Sequence, residues 1–266
     1  MPKLALTIAG SEATGGAGAQ ADLKTFQEQG VYGMIALTCI VSFDPAHGWG
    51  HRFVPVDKQV IDDQIDAITG AYGPERLDTV KIGMLGTPDT ISVVAKNLRD
   101  RRFTNVVLDP VLICKGQEPG AALDTDNALK AEILPLATVV TPNHFEAIQL
   151  SGVEDITSEE DLVNAAKLIF DRFGATVVAK GGVRIEGADA VDVFYDGKTL
   201  EILRAPKVGE VAVSGAGCTL AAAIAAQLAK GHSELDAVRN AKEFVTKAII
   251  ERVASNAPFE AVWQGA

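Results

Sequence analysis

The chain has 266 residues, 47% of them hydrophobic, and a formal net charge of −11. That is enough apolar material for one large α/β domain, and it excludes an intrinsically disordered chain. The negative charge argues against nucleic acid or an anionic membrane as the main partner. No run approaches the ~20 apolar residues that span a bilayer.

In chain order, apolar runs at 4–9, 34–41, 79–84, 105–108, 138–140, 176–180 and 191–195 read as strands. Helical periodicity fills 21–29, 56–72, 87–99, 126–133, 158–171 and 219–229, and a last helix is expected over 234–252. Alternation of this kind predicts a parallel sheet with helices on both faces. The stretch 41–56 contains Pro45, several glycines and Trp49, and reads as a loop or lid. Asp196-Gly197, between 191–195 and 200–203, reads as a hairpin turn. No long linker, repeat or low-complexity segment breaks the chain, so a single domain over 1–266 is the simpler expectation. The apolar run at 4–8 is too short for a signal peptide.

The cysteines are Cys39, Cys114 and Cys218. Their odd number and lack of C-x-x-C spacing argue against a disulfide framework and for a reduced, cytoplasmic setting. His47 and His51 are four apart, but Gly48 and Gly50 make a helix there unfavourable, so they do not read as a metal pair.

Gly215-Ala216-Gly217-Cys218-Thr219-Leu220 runs into an alanine-rich helix former. A glycine turn that opens a helix is an anion site, because the first amides lack partners and the macrodipole adds positive potential. The same potential is expected to lower the pKa of Cys218. Leu220 stands where a dinucleotide fingerprint needs its third glycine. Gly197-Lys198-Thr199 is no Walker A loop, because Asp192 precedes Gly197 by five.

Ligands of parallel sheets sit outside the carboxyl ends of the strands. Five such ends carry Gly10, Lys81, Asp109, Asn143 with Glu146, and Lys180 with Gly181. Each also has a plain structural use, as a turn glycine, a cap or a helix start. Their joint placement points to a site.

Taken together, Ala9-Gly10-Ser11, Gly15-Gly16-Ala17-Gly18, Gln20-Ala21-Asp22-Leu23-Lys24-Thr25, Lys81-Ile82-Gly83-Met84-Leu85, Asp109-Pro110-Val111, Thr141-Pro142-Asn143 with Glu146-Ala147, Lys180-Gly181-Gly182 and Gly215-Ala216-Gly217-Cys218-Thr219 resemble the vitamin kinases of the ribokinase superfamily. More closely, the chain resembles the hydroxymethylpyrimidine (phosphate) kinases and the pyridoxal kinases related to them. The resemblance covers nearly the whole chain. It implies a three-layer α/β/α sandwich with a mainly parallel central sheet, usually in a homodimer, that uses ATP and Mg2+.

The resemblance also implies roles. Gly215, Ala216 and Gly217 would form the anion hole for the migrating phosphoryl group, with Cys218 as catalytic base. Asp109 and Glu146 would serve the metal, with Asn143 beside them. Lys180 and Gly181 would lie by the ATP phosphates. Gly10, Asp22, Phe43 and Lys81 would line the substrate side.

Three departures bear on the substrate. Ser42-Phe43-Asp44 replaces an Ala-Gln-Asn whose glutamine reads the pyrimidine amino group, and losing a hydrogen-bonding group from a pocket costs preference strongly. Cys114 stands where the pyrimidine kinases usually carry Ala or Ser. It resembles the two-cysteine pyridoxal kinase branch, whose thiol adds reversibly to the substrate aldehyde. Glu12 replaces an Asp, so the charge survives on a longer arm. The leading reading is phosphorylation of the 5′-hydroxymethyl group of pyridoxal and related B6 vitamers. The pyrimidine kinase of thiamine synthesis, alone or as a dual activity, is the alternative, and a non-catalytic B6-binding protein is a further one.

Overall fold

The computed structural model of the chain describes residues 1–112, 119–209 and 211–266. Its sheet has nine strands: β1 (Lys3–Glu12), β2 (Val31–Asp44), β3 (Gly50–Pro55), β4 (Thr79–Ile82), β5 (Asn105–Leu108), β6 (Val139–Val140), β7 (Thr176–Gly182), β8 (Asp189–Tyr195) and β9 (Leu200–Pro206). They lie in the order β3-β2-β1-β4-β5-β6-β7-β8-β9. The centre, from β2 to β7, is parallel. Both margins are antiparallel, through β2–β3 on one side and β7–β8–β9 on the other. The expectation of a parallel sheet therefore holds for the centre and fails at the edges, where short hairpins replace crossover helices.

The parallel strands alternate between two cores, as a period of two requires. Leu4, Leu6 and Ile8 of β1, Val106 and Leu108 of β5, and Val177 and Ala179 of β7 face one core. Ala5, Val107 and Val178 face the other. Helices α2 (Lys58–Tyr72), α3 (Pro88–Arg101), α5 (His144–Ser151) and α6 (Glu159–Phe173) cover the first face, through Ile61, Ile91, Leu150 and Leu162. Helices α1 (Gly18–Glu28), α7 (Ala216–Ala229) and α8 (Glu234–Ile250) cover the second, through Phe26, Leu220 and Val238. Helix α4 (Pro119–Ala128) continues into a π turn over Leu129–Ile133. No helix among the described residues is long and apolar enough to cross a membrane.

The stretch 41–56 is mostly a β-hairpin, not the loop expected from its Pro and Gly content. Those breakers are confined to the turn, where Pro45–His47 form a 3-10 turn and Gly48 and Trp49 take positive φ. On either side the backbone pairs from Cys39 with Pro55 to Asp44 with Gly50. The hairpin expected at Asp196-Gly197 is present. The Asp196 carboxylate accepts from the amides of Lys198 and Thr199 at 2.8 and 2.6 Å, and Gly197 has φ +86°.

The chain leaves β1 for β2 on one side and resumes at β4 on the other, so the sheet has its switch point between β1 and β4. Two glycine turns meet near it. Gly15-Gly16-Ala17 opens α1, and Gly215 caps α7 with φ +81°. The two turns touch so closely that a Cβ on Gly215 would lie 1.7 Å from the Gly16 carbonyl oxygen. Gly215→Ala is therefore expected to destabilise the protein by about 2 kcal/mol or more, from positive-φ strain plus the clash. Urea unfolding of the purified variant checks this. A midpoint unchanged from wild type would mean that the turns separate freely.

Candidate active site

A cleft of about 430 Å³ opens beyond the carboxyl ends of β5, β6 and β7. Its lining includes Asp109, Asn143, Glu146, Lys180, Gly181 and the turn from Gly215 to Cys218. Pro206, Val208, Val213, Leu220, Val245 and Ile249 add apolar surface, beside the Lys242–Asp192 pair. A cleft lined by both charged and apolar groups suits a ligand that carries phosphates and a flat ring.

Helix α7 starts at Ala216, three residues before the expected position. Gly217 and Cys218 therefore sit in its first turn, where amides have no intrahelical acceptor. Gly217 also keeps the approach open, because a Cβ there would lie 3.1 Å from Lys180 Nζ. A second helix start lies by the same thiol: the Gly18 amide, first in α1, is among the groups that favour its charged form. Cys218 thus lies between the positive ends of two helices.

The expected low pKa of Cys218 is not found. The thiol is pushed up to about 11, first by burial and then by the carboxylates of Asp109 and Asp22, against the pull of Lys81 and the Gly18 amide. Loss of hydration and two nearby carboxylates cost a thiolate more than Lys81 and the Gly18 amide return.

Lys180 Nζ donates to Asp109 Oδ1 at 2.9 Å, and Thr141 Oγ1 donates to the same oxygen at 3.2 Å. Burial alone would raise the Asp109 pKa, but Lys180 and Lys81 hold it below the usual carboxylate range. Asn143 and Glu146 form a capping box at the start of α5. The Asn143 side chain accepts from the Glu146 amide at 3.0 Å, and the Glu146 carboxylate accepts from the Asn143 amide at 2.8 Å. Burial, joined by the Asp109 charge, pushes Glu146 up to about 8, against Lys180 and the amides of Asn143 and Leu112.

The comparisons with known proteins follow this geometry. The chain matches the phosphomethylpyrimidine kinase family over residues 12–263. It belongs to that family. The pyridoxine kinase of Bacillus subtilis is 46% identical, over 95% of this chain and 92% of the relative. An ADP complex of Bacillus subtilis pyridoxal kinase superposes with a TM-score of 0.93 at 45% identity, covering 100% of this chain and 98% of that one. The pyridoxal kinase of Staphylococcus aureus in complex with AMP-PCP and pyridoxal gives 0.90 at 39% identity, covering 100% and 94%.

Within this phosphomethylpyrimidine kinase fold the sequence-predicted residues divide into two groups. Asp109, Asn143, Glu146, Lys180, Gly181, Gly215, Ala216, Gly217 and Cys218 share the cleft. Gly10, Asp22, Phe43 and Lys81 are not among its lining residues. Gly10 sits at the register irregularity of β1, over Cys39, where a Cβ would lie 2.4 Å from the sulfur.

Asp22 and Lys81, expected to face substrate, have fully buried side chains joined at 2.9 Å. Thr7 Oγ1 donates to Asp22 at 2.6 Å. Burial works against the Lys81 charge, yet Asp22 above all, with Cys218 and Asp109, keeps its pKa above the usual range. The pair lies within electrostatic reach of Asp109 and Cys218 without lining the cleft. Phe43 packs on His51 and Phe259, with ring centroids 4.7 and 5.1 Å away. Cys114 lies outside the described residues.

Two features carried no assignment in the sequence. Glu12 is buried and organises the loop before α1, accepting from the amides of Thr14, Gly16 and Ala17 at 2.6, 3.0 and 3.1 Å. Its signal was a carboxylate directly before a glycine cluster. On the cleft wall, Lys242 pairs with Asp192 at 2.6 Å, and no local motif announces a pair 50 positions apart.

Glu146 generates a prediction. Its folded-state pKa is raised from 4.5 to about 8, so the folded protein resists losing that proton. Stability from this group is full below pH 4.5 and is lost as pH rises towards 8, with a slope of at most about 1.4 kcal/mol per pH unit. Glu146→Gln removes the titration while keeping an acceptor for the Asn143 amide. The variant's stability is expected to gain on wild type as pH rises from 5 to 8. Parallel urea curves at four pH values check it, and a constant difference would place the Glu146 carboxyl in a wetter setting.

Proposed function

We propose that this protein is an ATP-dependent kinase for the 5′-hydroxymethyl group of pyridoxal and related B6 vitamers. The carrying observation is the cleft lined by the first turn of α7, with Cys218 in that turn and Asp109, Glu146 and Lys180 beside it. The apolar lining suits the adenine, and Lys180 with the α7 amides suits the phosphates. The transferring phosphoryl group would pass over the turn Gly215–Cys218. The vitamer oxygen bonds to phosphorus, the bond to the ADP oxygen breaks, and the hydroxyl proton is released.

A loose transition state makes little demand on a strong base; it needs positioning and charge stabilisation. A Cys218 thiol near 11 is neutral at pH 7, so its work is to orient the hydroxyl. Lys180 and the helix amides supply positive charge where it develops on the phosphoryl oxygens.

Magnesium, a homodimer, a cytoplasmic setting and a single working domain belong to the same reading. Among the described residues no group of three or more His, Cys, Asp or Glu could hold a metal ion by itself. Two carboxyl groups at the phosphate end, Asp109 and Glu146, fit the way Mg2+ binds, through one or two carboxylates, water and substrate phosphates. When bound, the ion would neutralise phosphate charge. The raised Glu146 carboxyl fits a group that ionises fully only beside a cation.

Choice of pyridoxal over a pyrimidine rests on Phe43. Its ring is packed in an aromatic cluster and offers no amide to a pyrimidine amino group. Cys114 joins the reading as the thiol that adds to the pyridoxal aldehyde.

The decisive measurement is ADP release with pyridoxal, pyridoxine, pyridoxamine and hydroxymethylpyrimidine side by side. Pyridoxal is expected to be fastest, and Cys114→Ala to lower its rate relative to pyridoxine. Preference for hydroxymethylpyrimidine would return the protein to thiamine synthesis. A second prediction concerns Cys218→Ala. Turnover is expected to fall about 10²-fold or more with the KM for ATP little changed, since orientation is lost and nucleotide contacts are kept. Near-wild-type kcat would remove Cys218 from the chemistry.

A further inference from the structure

After α8 the chain folds back, and residues 259–264 pack against the turn that opens α7. Val253 and Ala261 exchange backbone hydrogen bonds at 2.7 and 3.2 Å. From that turn the segment reaches three separate places.

At the α7 turn it brackets Ser214. The Ser214 amide donates to the Glu260 carbonyl at 2.9 Å, and the Val262 amide donates to the Ser214 carbonyl at 3.1 Å. One turn into α7, Gln264 Nε2 donates to Thr219 Oγ1 at 3.0 Å, with both residues buried. At the α1 turn, Ala261 packs so tightly that a Cβ on Gly16 would lie 2.7 Å from its own Cβ. At the hairpin, the Phe259 ring lies 5.1 Å from Phe43 and 6.1 Å from Trp49. Trp49 holds a φ of +60°, a conformation that costs a bulky residue energy unless its surroundings fix it.

The two glycine turns that enclose Cys218 and the hairpin that carries Phe43 therefore share one brace. A turn of glycine and alanine has no side chains to hold its own shape. Its geometry must come from neighbours, and here they are supplied by a segment distant in sequence.

We propose that residues 259–264 position the α7 turn for phosphoryl transfer and couple it to the aromatic hairpin, with Gln264 and Phe259 as the two positioning residues. In its consequences for turnover this rests on the kinase reading; in its consequences for local order it does not. Neither residue is assigned a contact with substrate.

The test has two readouts. Gln264→Met keeps the volume and removes the hydrogen bond. Deuterium exchange of the amides of 214–220 is expected to be faster in the ligand-free variant than in wild type. With vitamer and ATP, kcat is expected to fall about tenfold with KM for pyridoxal within about twofold, because misplacement costs the transition state more than binding. Thr219→Val should reproduce both effects, the double variant should be no worse than either single, and Thr219→Ser should restore wild-type behaviour. Phe259→Ala should speed exchange at both 43–51 and 214–220.

Unchanged exchange over 214–220 in both Gln264→Met and Thr219→Val overturns the proposal. So do losses that simply add in the double variant. If Gln264→Met does not fold, the contrast between Thr219→Val and Thr219→Ser decides alone. If wild type phosphorylates no vitamer while exchange responds as described, the kinase reading fails and the brace stands.

Discussion

The close approach of Gly215 to the Gly16 carbonyl is the constraint on which the site depends. Each turn starts a helix, and each helix start is a source of unpaired amides. Alone, either would be an ordinary anion-binding terminus. Brought into contact, they set one thiol beside two helix starts, with the Gly18 amide near it on one side and the first turn of α7 carrying it on the other. Only backbones without Cβ atoms approach so closely. The glycines here set a distance between two helices as much as they permit a tight turn.

Around that contact the charges are arranged in depth. Lys180 and Asp109 pair at the cleft, and Lys81 and Asp22 pair out of reach of solvent. Lys81 keeps its proton against burial because Asp22 above all, and then Asp109, lie close to it. A chain of net charge −11 thus keeps two protonated lysines at and beneath the cleft, each held by an aspartate. The formal total excluded a nucleic-acid surface but could not locate these two lysines.

Much of this was legible in the residues. Val106-Val107-Leu108 is apolar at every position, the mark of a strand buried on both faces, and it lies at the centre of the sheet. The strand ends carrying Asp109, Asn143 and Lys180 do converge, because parallel strands must all finish on one side. The antiparallel β3 was hidden because Pro45, Gly48 and Gly50 dominate composition locally, although they shape only the turn. Helix α7 read three residues late because Gly217 is a poor helix former, and its place in the first turn depends on packing. The ionisation of Cys218 was misjudged for a physical reason: helix starts are visible in sequence, but burial is a property of the assembled site. Gln264 lies 45 positions from Thr219 and carries no periodic or motif signal, so its contact appears only in three dimensions.

The Asp22–Lys81 pair constrains which substitutions the fold tolerates. Removing either partner leaves a buried charge uncompensated, a loss of about 3–5 kcal/mol. That is comparable to the whole stability margin of a small domain, about 5–15 kcal/mol. An apolar pair of similar volume would be tolerated far better, yet it is two substitutions away through an unstable intermediate. A single substitution at either position is therefore costly, even though neither side chain reaches the surface.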